Sequence, residues 1–412
     1  MIKILHTADI HLDSPLKTLA LRDEALRDRV QTATRTALIR IVDTALAENV
    51  AALLIAGDLF DGAERSAKTA AFLTGQLDRL RAADIPVFYI KGNHDAENPI
   101  TGEVSLPDNV HIFDGRGGKV QIEGADIWIH GVSFNSRHAP ESLLGKFTAP
   151  VPGAVNIAML HSSLAGAQGH DTYAPCSVAE LSTMGFDYWA LGHIHKRQIH
   201  SEAPWIVMPG IPQGRDIGEA GPKTATMLRI EDQRISIYEV PTSAAEFLDL
   251  RFDVTALDHD DDLRAKLRAT LRDLASELSS DTGLLRLTLT GANARTWQIL
   301  RDQDMWEETA NQMARETGTL WLEKLRFDLT PPTSAPNAAS ALDELARLMA
   351  DIQEEPGFAA SLTSSLDALL SELPTHRRAQ LVPDEAASTA LRRDLASAGA
   401  AQLLAAMKGA SE

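Results

Sequence analysis

Five short clusters in the first half of the chain set carboxylates, imidazoles and an amide at close spacing. They are Asp9-Ile-His11, Gly57-Asp58-Leu-Phe-Asp61, Gly92-Asn93-His94-Asp95, His161 and Gly192-His193-Ile-His195. Carboxylate and imidazole donors together suit Mn²⁺, Fe²⁺ or Zn²⁺, and the lack of thiolates argues against a structural zinc site. In Asp-x-His and His-x-His, residues two apart point the same way on an extended backbone. Asp9, His11, Asp58, Asn93, His161, His193 and His195 thus supply enough ligands for two cations. Two ions roughly 3.5–4 Å apart can polarise a phosphoryl oxygen and activate a water as nucleophile. Singly, each residue has an ordinary explanation: Asp9 as a helix cap, Asp61 as a turn residue, His193 or His195 as surface imidazoles. The ordered set is harder to explain so, because it demands a strand-to-loop context at each cluster, and the surrounding pattern supplies one.

The elements that must position these clusters are legible as alternating apolar runs and helical patterns. Residues 2–5, 51–56 and 87–90 read as buried strands, and 22–48 and 68–83 as helices, which predicts an α/β layered core. Strand ends are where site residues converge in such folds. After about residue 117 closer-spaced strands follow, at 119–122, 127–132, 155–160, 188–191, 205–208, 226–230 and 235–240, and predict a second sheet on the first. Pro241 marks a boundary. Residues 245–330 then read as a compact α+β module with strands around 248–254, 285–289 and 320–327. Thr330-Pro-Pro-Thr-Ser-Ala-Pro-Asn337 is a linker by composition, and 338–412 is Ala-, Leu- and Glu-rich and helical. Its apolar stripes, Phe358-Leu362-Leu366-Leu369-Leu373 and Leu342-Leu345-Met349-Ile352, either pack on the body or dock a partner. The expected division is 1–241, 245–330 and 338–412.

Composition sets the outer limits. A chain of 412 residues exceeds one ordinary core. No stretch approaches the ~20 apolar residues of a membrane span, and Met-Ile-Lys-Ile-Leu-His meets polar residues too soon for a signal-peptide core. The single cysteine, Cys176, cannot form an internal disulfide and reads as a small buried side chain; a cytoplasmic location is expected. The net charge of −18 weakens a stand-alone DNA binder, since affinity for DNA comes largely from phosphate neutralisation. Bound divalent cations, or a basic surface on a partner, would offset it locally.

The ordered set resembles the signature of the calcineurin-like metallophosphoesterases, over residues 9 to 195. The resemblance implies a four-layer α/β/β/α sandwich, here with a small α+β capping domain and a helical C-terminal tail. It also implies that Asp9, His11, Asp58 and His195 hold one metal, and that Asp58, as the bridge, Asn93, His161 and His193 hold the other. His94 would act on the substrate as a catalytic residue, stabilising the transition state or protonating the leaving oxygen. Asp61 would orient His94, and Asp95 would stand behind the ligands. Protein Ser/Thr phosphatases of this superfamily place Arg directly after the second Asp of the second motif; Gly62 stands there. Three stretches are instead similar to the bacterial SbcD-type DNA repair exonucleases: residues 6–15, 56–61 and 209–215. That branch implies a Mn²⁺-dependent nuclease acting on DNA, a homodimer, and an SMC-like coiled-coil ATPase as partner of the helical tail.

Arg215 could contact a phosphate, because guanidinium matches phosphate geometry, or form a loop salt bridge. His170 and Tyr173 follow His161 closely and could line a substrate groove. Trp297, Trp306 and Trp321 fall on periodic elements, which points to core packing ahead of base stacking. Two rival functions share the same ligands. A small-molecule or cyclic-nucleotide phosphodiesterase suits the acidic charge but leaves the residues after the core unexplained. A non-catalytic scaffold does not explain why His94 is present.

Overall fold

A computed structural model describes residues 1–16, 24–61, 66–96, 106–136, 139–164, 173–330, 341–374, 377–378 and 381–409. Its strands are β1 Ile2–Thr7, β2 Ala52–Ala56, β3 Val87–Ile90, β4 Val110–Ile112, β5 Gly118–Gln121, β6 Ile127–Gly131, β7 Val155–His161 and β8 Tyr188–Gly192. They continue with β9 Gln198–Glu202, β10 Trp205–Met208, β11 Thr224–Glu231, β12 Arg234–Pro241, β13 Ala245–Asp253, β14 Thr282–Ala292 and β15 Leu320–Thr330. Among the described residues the first four helices are α1 Glu24–Gln31, α2 Ala33–Ala47, α3 Ala67–Arg81 and α4 Val178–Thr183. The helix expected over 22–48 is thus two, broken at Thr32, whose ψ of 1° leaves the helical range.

Two six-stranded sheets form the first part, in the orders β12-β11-β1-β2-β3-β4 and β5-β6-β7-β8-β10-β9. One expectation is corrected here. β11 and β12 do not extend the second sheet but return to the first, β11 running antiparallel to β1 with Ile4 opposite Leu228. The short strands β4 and β9 carry no strong apolar alternation, and the sequence pattern passes over them. Strand alternation sorts the core into layers. Leu5, Leu53, Ile55 and Tyr89 pack under Leu38, Ile41, Leu73 and Leu77 of α2 and α3. Ile4, Leu54 and Phe88, one residue out of step, face Ile129, Ile157, Met159 and Val207 of the second sheet. The far side of that sheet, with Leu160, Trp189 and Met208, is covered by Leu181 of α4 and by Phe186. Helices, sheet, sheet and helix make the α/β sandwich. The parallel run β1-β2-β3 and the parallel run β6-β7-β8-β10 bring the clusters to the carboxyl ends of their strands.

The chain divides into two compact units, one of 1–249, 274–286 and 319–323, the other of 250–273, 287–318 and 324–412. β13, β14 and β15 form a three-stranded sheet. The second unit holds α5 Asp260–Ser276 in most of its length, α6 Thr296–Arg301, α7 Gln303–Glu316, α8 Ala341–Gln353, α9 Pro356–Ser371 and α10 Glu385–Gly409. α6 and α7 are separated at Asp302, at ψ 32°. Leu263, Leu267, Leu271, Leu287, Leu289 and Trp306 are buried. Trp306 is thus core, while Trp297 and Trp321 are half-buried under Arg301 and Arg29. In α9 the inward residues are Leu366 and Leu370; Leu369 and Leu373, assigned to the same stripe by the sequence, face solvent. No helix among the described residues is long and apolar enough to cross a membrane.

Candidate metal centre

The centre is assembled by loops at the ends of β1, β2, β3, β7 and β8. The first two are zipped together: Asp9, His11 and Leu12 amides donate to Gly57, Asp58 and Leu59 carbonyls at 2.9, 3.0 and 2.9 Å. Several ligand candidates sit in the left-handed region that side chains avoid, Asp9 at φ 51°, His11 at 44°, Asp58 at 51° and His193 at 102°. Such residues persist where surrounding bonds over-determine them. Asp13, at φ 64°, is one of those anchors: Arg35 grips its carboxylate through Nε and Nη2 at 2.6 and 2.7 Å, and Thr69 adds a third bond. Gly57, at φ 93°, is required by contact as well, since a Cβ there would collide with the His161 ring.

Among the described residues three groups result, each with ligand atoms within 4.8 Å of one another: Asp9, His11 and His195; His11, Asp58 and His94; Asp58, His161 and His193. Asn93 joins the third, its Oδ1 being 3.1 Å from His161 Nε2. Second interactions fix each side chain. Asp9 accepts the His193 amide at 2.9 Å, and Asp58 Oδ1 accepts the His94 amide at 2.9 Å. Buried Asp95 takes the Phe60 and Gly92 amides, both at 3.0 Å, and so joins two of the loops. Asp61 Oδ1 lies 3.6 Å from His94 Nδ1.

The donor set fits cations on its own geometry. The Ala56 carbonyl only accepts, so His161 Nδ1–H donates to it at 2.9 Å. A neutral His161 then points its Nε2 lone pair at Asn93 Oδ1 and, at 3.3 Å, at Asp58 Oδ2. Three lone pairs converging in a buried place need a positive charge between them. Without a metal a proton answers: burial works against it, but the Asp58 carboxylate wins and pushes His161 up to about 9. The same pairing holds Asp58 below the ordinary carboxylate range against its own burial. Burial raises Asp9, and burial with the Asp58 charge pushes Asp95 up to about 6. A bond from His11, against the cost of burial, keeps Asp61 low. Burial lowers His94, with Asp58 pulling the other way.

Beside the groups opens a cleft of about 930 Å³, walled by His94, Tyr173, His193, Lys196, Arg197 and Lys223 among others. Tyr173 stands at its edge, ring 5.2 Å from that of His193. Arg215 is half-buried, its guanidinium 3.8 Å from Asp61 and 3.4 Å from Glu219. His170 lies outside the described residues. Cys176 is free and buried, 3.2 Å from Ser162 Oγ. Sequence reasoning passed over Asp13 and Glu219. The latter's Oε1 is 2.6 Å from His195 Nδ1, and its only sequence signal is the Arg215 four residues earlier in a Pro- and Gly-rich loop.

Comparison with known proteins agrees with this geometry. Residues 2–197 match the calcineurin-like phosphoesterase family, and residues 247–330 match the middle domain of the metallophosphoesterase YhaO. The uncharacterized metallophosphoesterase YhaO of Bacillus subtilis is 38% identical over 57% of this chain and 59% of its own. The DNA double-strand break repair protein Mre11 of Methanopyrus kandleri is 24% identical over 57% of this chain and 51% of its own. Its namesake in Sulfolobus acidocaldarius is 28% identical over 48% and 50%. The chain therefore spans about half the length of the curated relatives it matches. Residues 2–197, with candidate cation-ligand groups at the ends of their strands, form a calcineurin-like metallophosphoesterase domain.

Proposed function

We propose that the chain hydrolyses phosphodiester bonds of DNA with two divalent cations, Mn²⁺ foremost, held at the strand-end loops. The observation that carries this reading is the place of Asp58. It shares one ligand group with His11 and His94 and another with His161 and His193, so its carboxylate can serve two adjacent ions. Asp9, His11 and His195 complete one site, and Asn93, His161 and His193 the other. When bound, such ions polarise a phosphoryl oxygen and lower the pKa of a water that attacks phosphorus. The chain's own groups do the remainder. His94 lines the cleft, so its ring can carry a proton to the departing oxygen. Asp61 behind Nδ1 favours the charged ring while burial favours its neutral form, so the proton is both held and released. Gly57, Asp95 and the backbone pairings hold the ligands in place, which spares the reaction that reorganisation.

DNA is favoured as substrate by the relatives named for double-strand break repair and by the SbcD-type resemblance of residues 6–15, 56–61 and 209–215. A homodimer, an SMC-like ATPase on the helical C-terminal region and a cytoplasmic location belong to the same proposal. The test is purified protein with Mn²⁺ on labelled duplex and single-stranded DNA, beside bis-p-nitrophenyl phosphate, with His94→Ala as control. DNA degradation lost in the variant is the expected result. Turnover of the small diester alone would favour the small-molecule reading, to which the net charge of −18 is suited. No turnover with cations bound would favour a scaffold.

A further inference from the structure

We propose that Glu219, clamped by Arg215, is a positioning residue that fixes the tautomer and aim of His195; the proposal rests on the two-cation reading above. Glu219 closes a single 3-10 turn, Ile217–Glu219, in the loop after β10. Its Oε1 stands 2.6 Å from His195 Nδ1, a charge-assisted distance. His195 Nδ1 has two neighbours, this ionised carboxylate, which only accepts, and Arg215 Nη2 at 3.2 Å, which only donates; the much shorter carboxylate contact decides, so Nδ1 carries the proton and Nε2 keeps its lone pair. That Nε2 lies 3.2 Å from His11 Nε2, in the group the two form with Asp9. Without the carboxylate the ring is free to place its proton on Nε2, and a protonated nitrogen cannot ligate.

Arg215 holds the carboxylate in turn. Its amide donates to Glu219 Oε2 at 2.7 Å, and its Nη2 lies 3.4 Å from Oε1. Its Nη1 reaches within 3.8 Å of Asp61 Oδ1. One guanidinium thus stands between the carboxylate behind His195 and the carboxylate behind His94 and His11. The side chains of Arg215 and Glu219 are only 19% and 16% exposed, unlike a solvated surface pair.

The loop that carries them is itself fixed to the ligand loop and to β13. The Ile211 amide donates to the His195 carbonyl at 2.9 Å. Gln213, fully buried, accepts the Ala244 and Ala245 amides at 2.8 and 3.1 Å and donates to the Ala245 carbonyl at 2.8 Å. Gly221 N–H donates to the Phe247 carbonyl at 2.8 Å. Glu219 therefore has a defined place relative to His195, which a positioning role requires.

The test is titration calorimetry with Mn²⁺ on the full chain, comparing wild type with Glu219→Ala and Glu219→Gln. Melting of each cation-free protein is followed in parallel. Partners of ligating histidines typically set metal affinity by about 10–100-fold. The wild type is expected to bind two ions. In Glu219→Ala one ion should bind about 10–100-fold more weakly while the other is unchanged. Glu219→Gln, which keeps the shape and the side-chain oxygen, should fall between. Should the alanine variant fail to fold, the glutamine variant still reads the affinity. Variants that bind both ions as wild type does, whatever their melting temperature, would make Glu219 a structural brace and overturn the proposal alone. A wild type that binds fewer than two ions would overturn the two-cation reading, and this proposal with it.

Discussion

Asp61 Oδ1 lies 3.6 Å from Nδ1 of His94 and 3.5 Å from Nδ1 of His11. One carboxylate thus stands behind a ligand candidate and behind the group assigned to proton delivery. Removing it should act on both. His94→Ala is expected to lower kcat on bis-p-nitrophenyl phosphate by about 10²–10⁴-fold, the usual worth of a positioned acid or base. Asp61→Asn should lower it less, by roughly 10–100-fold, with a weaker affinity for one cation. At saturating Mn²⁺, where the weakened cation site is filled, the remaining effect of Asp61 runs through His94, so the double variant should be little worse than His94→Ala. Steady-state kinetics of the three variants decide this; fully multiplicative losses would show that Asp61 does not work through His94.

The candidate ligands stand out in the sequence as a set, for a physical reason. Cation coordination would draw on a few residue types, and Asp9, His11, Asp58, Asn93, His161, His193 and His195 are of those types, exposed as a set by their strand-end spacing. The structure brings all seven together. Buried strands such as Ala52–Ala56 were legible because every residue in them is apolar and covered. Sheet membership was not, because β11 and β12 have the same apolar alternation whichever sheet they join. It is the antiparallel register of Ile4 with Leu228 that decides, and no local pattern encodes it. Glu219 was hidden for a similar reason: its meaning comes from a contact with His195 across 24 residues.

The buried histidine next to the site gives a pH dependence of stability. His6 is fully buried, and both its ring nitrogens are committed: Nε2–H donates to the Leu191 carbonyl at 3.1 Å, and Nδ1 accepts the Tyr188 hydroxyl at 2.9 Å. A second proton would displace the Tyr188 bond, and burial pushes the group down to about 3 from 6.5. The unfolded chain binds that proton below about pH 6.5, and the folded chain does not. The contribution is therefore full above pH 6.5 and shrinks as pH falls from there toward 3, by about 1.4 kcal/mol per pH unit. Denaturant unfolding of cation-free protein across pH 4–7, wild type against His6→Gln, isolates it, since other groups largely cancel in the difference. The advantage of the wild type should narrow as pH falls; a constant difference would show that His6 is protonated in the native state.

Gly57 offers a test of how tightly the backbone defines the centre. Its φ of 93° disfavours any side chain, and its missing Cβ is the space that the His161 ring occupies. Gly57→Ala combines backbone strain of order 1–3 kcal/mol with a steric conflict of about 1–3 kcal/mol. Part of this can be relieved only by moving His161, which takes its Nε2 away from Asn93 and Asp58. The variant should thus lose stability and also bind one cation more weakly. Gly75, within α3 and with nothing near the position of a Cβ, is the control: Gly75→Ala should stabilise by about 0.5–1 kcal/mol and leave cation affinity unchanged. Melting and calorimetry on both variants separate the two effects. If Gly57→Ala melts lower but keeps wild-type affinity for both cations, the His161 ring does not depend on that turn for its aim.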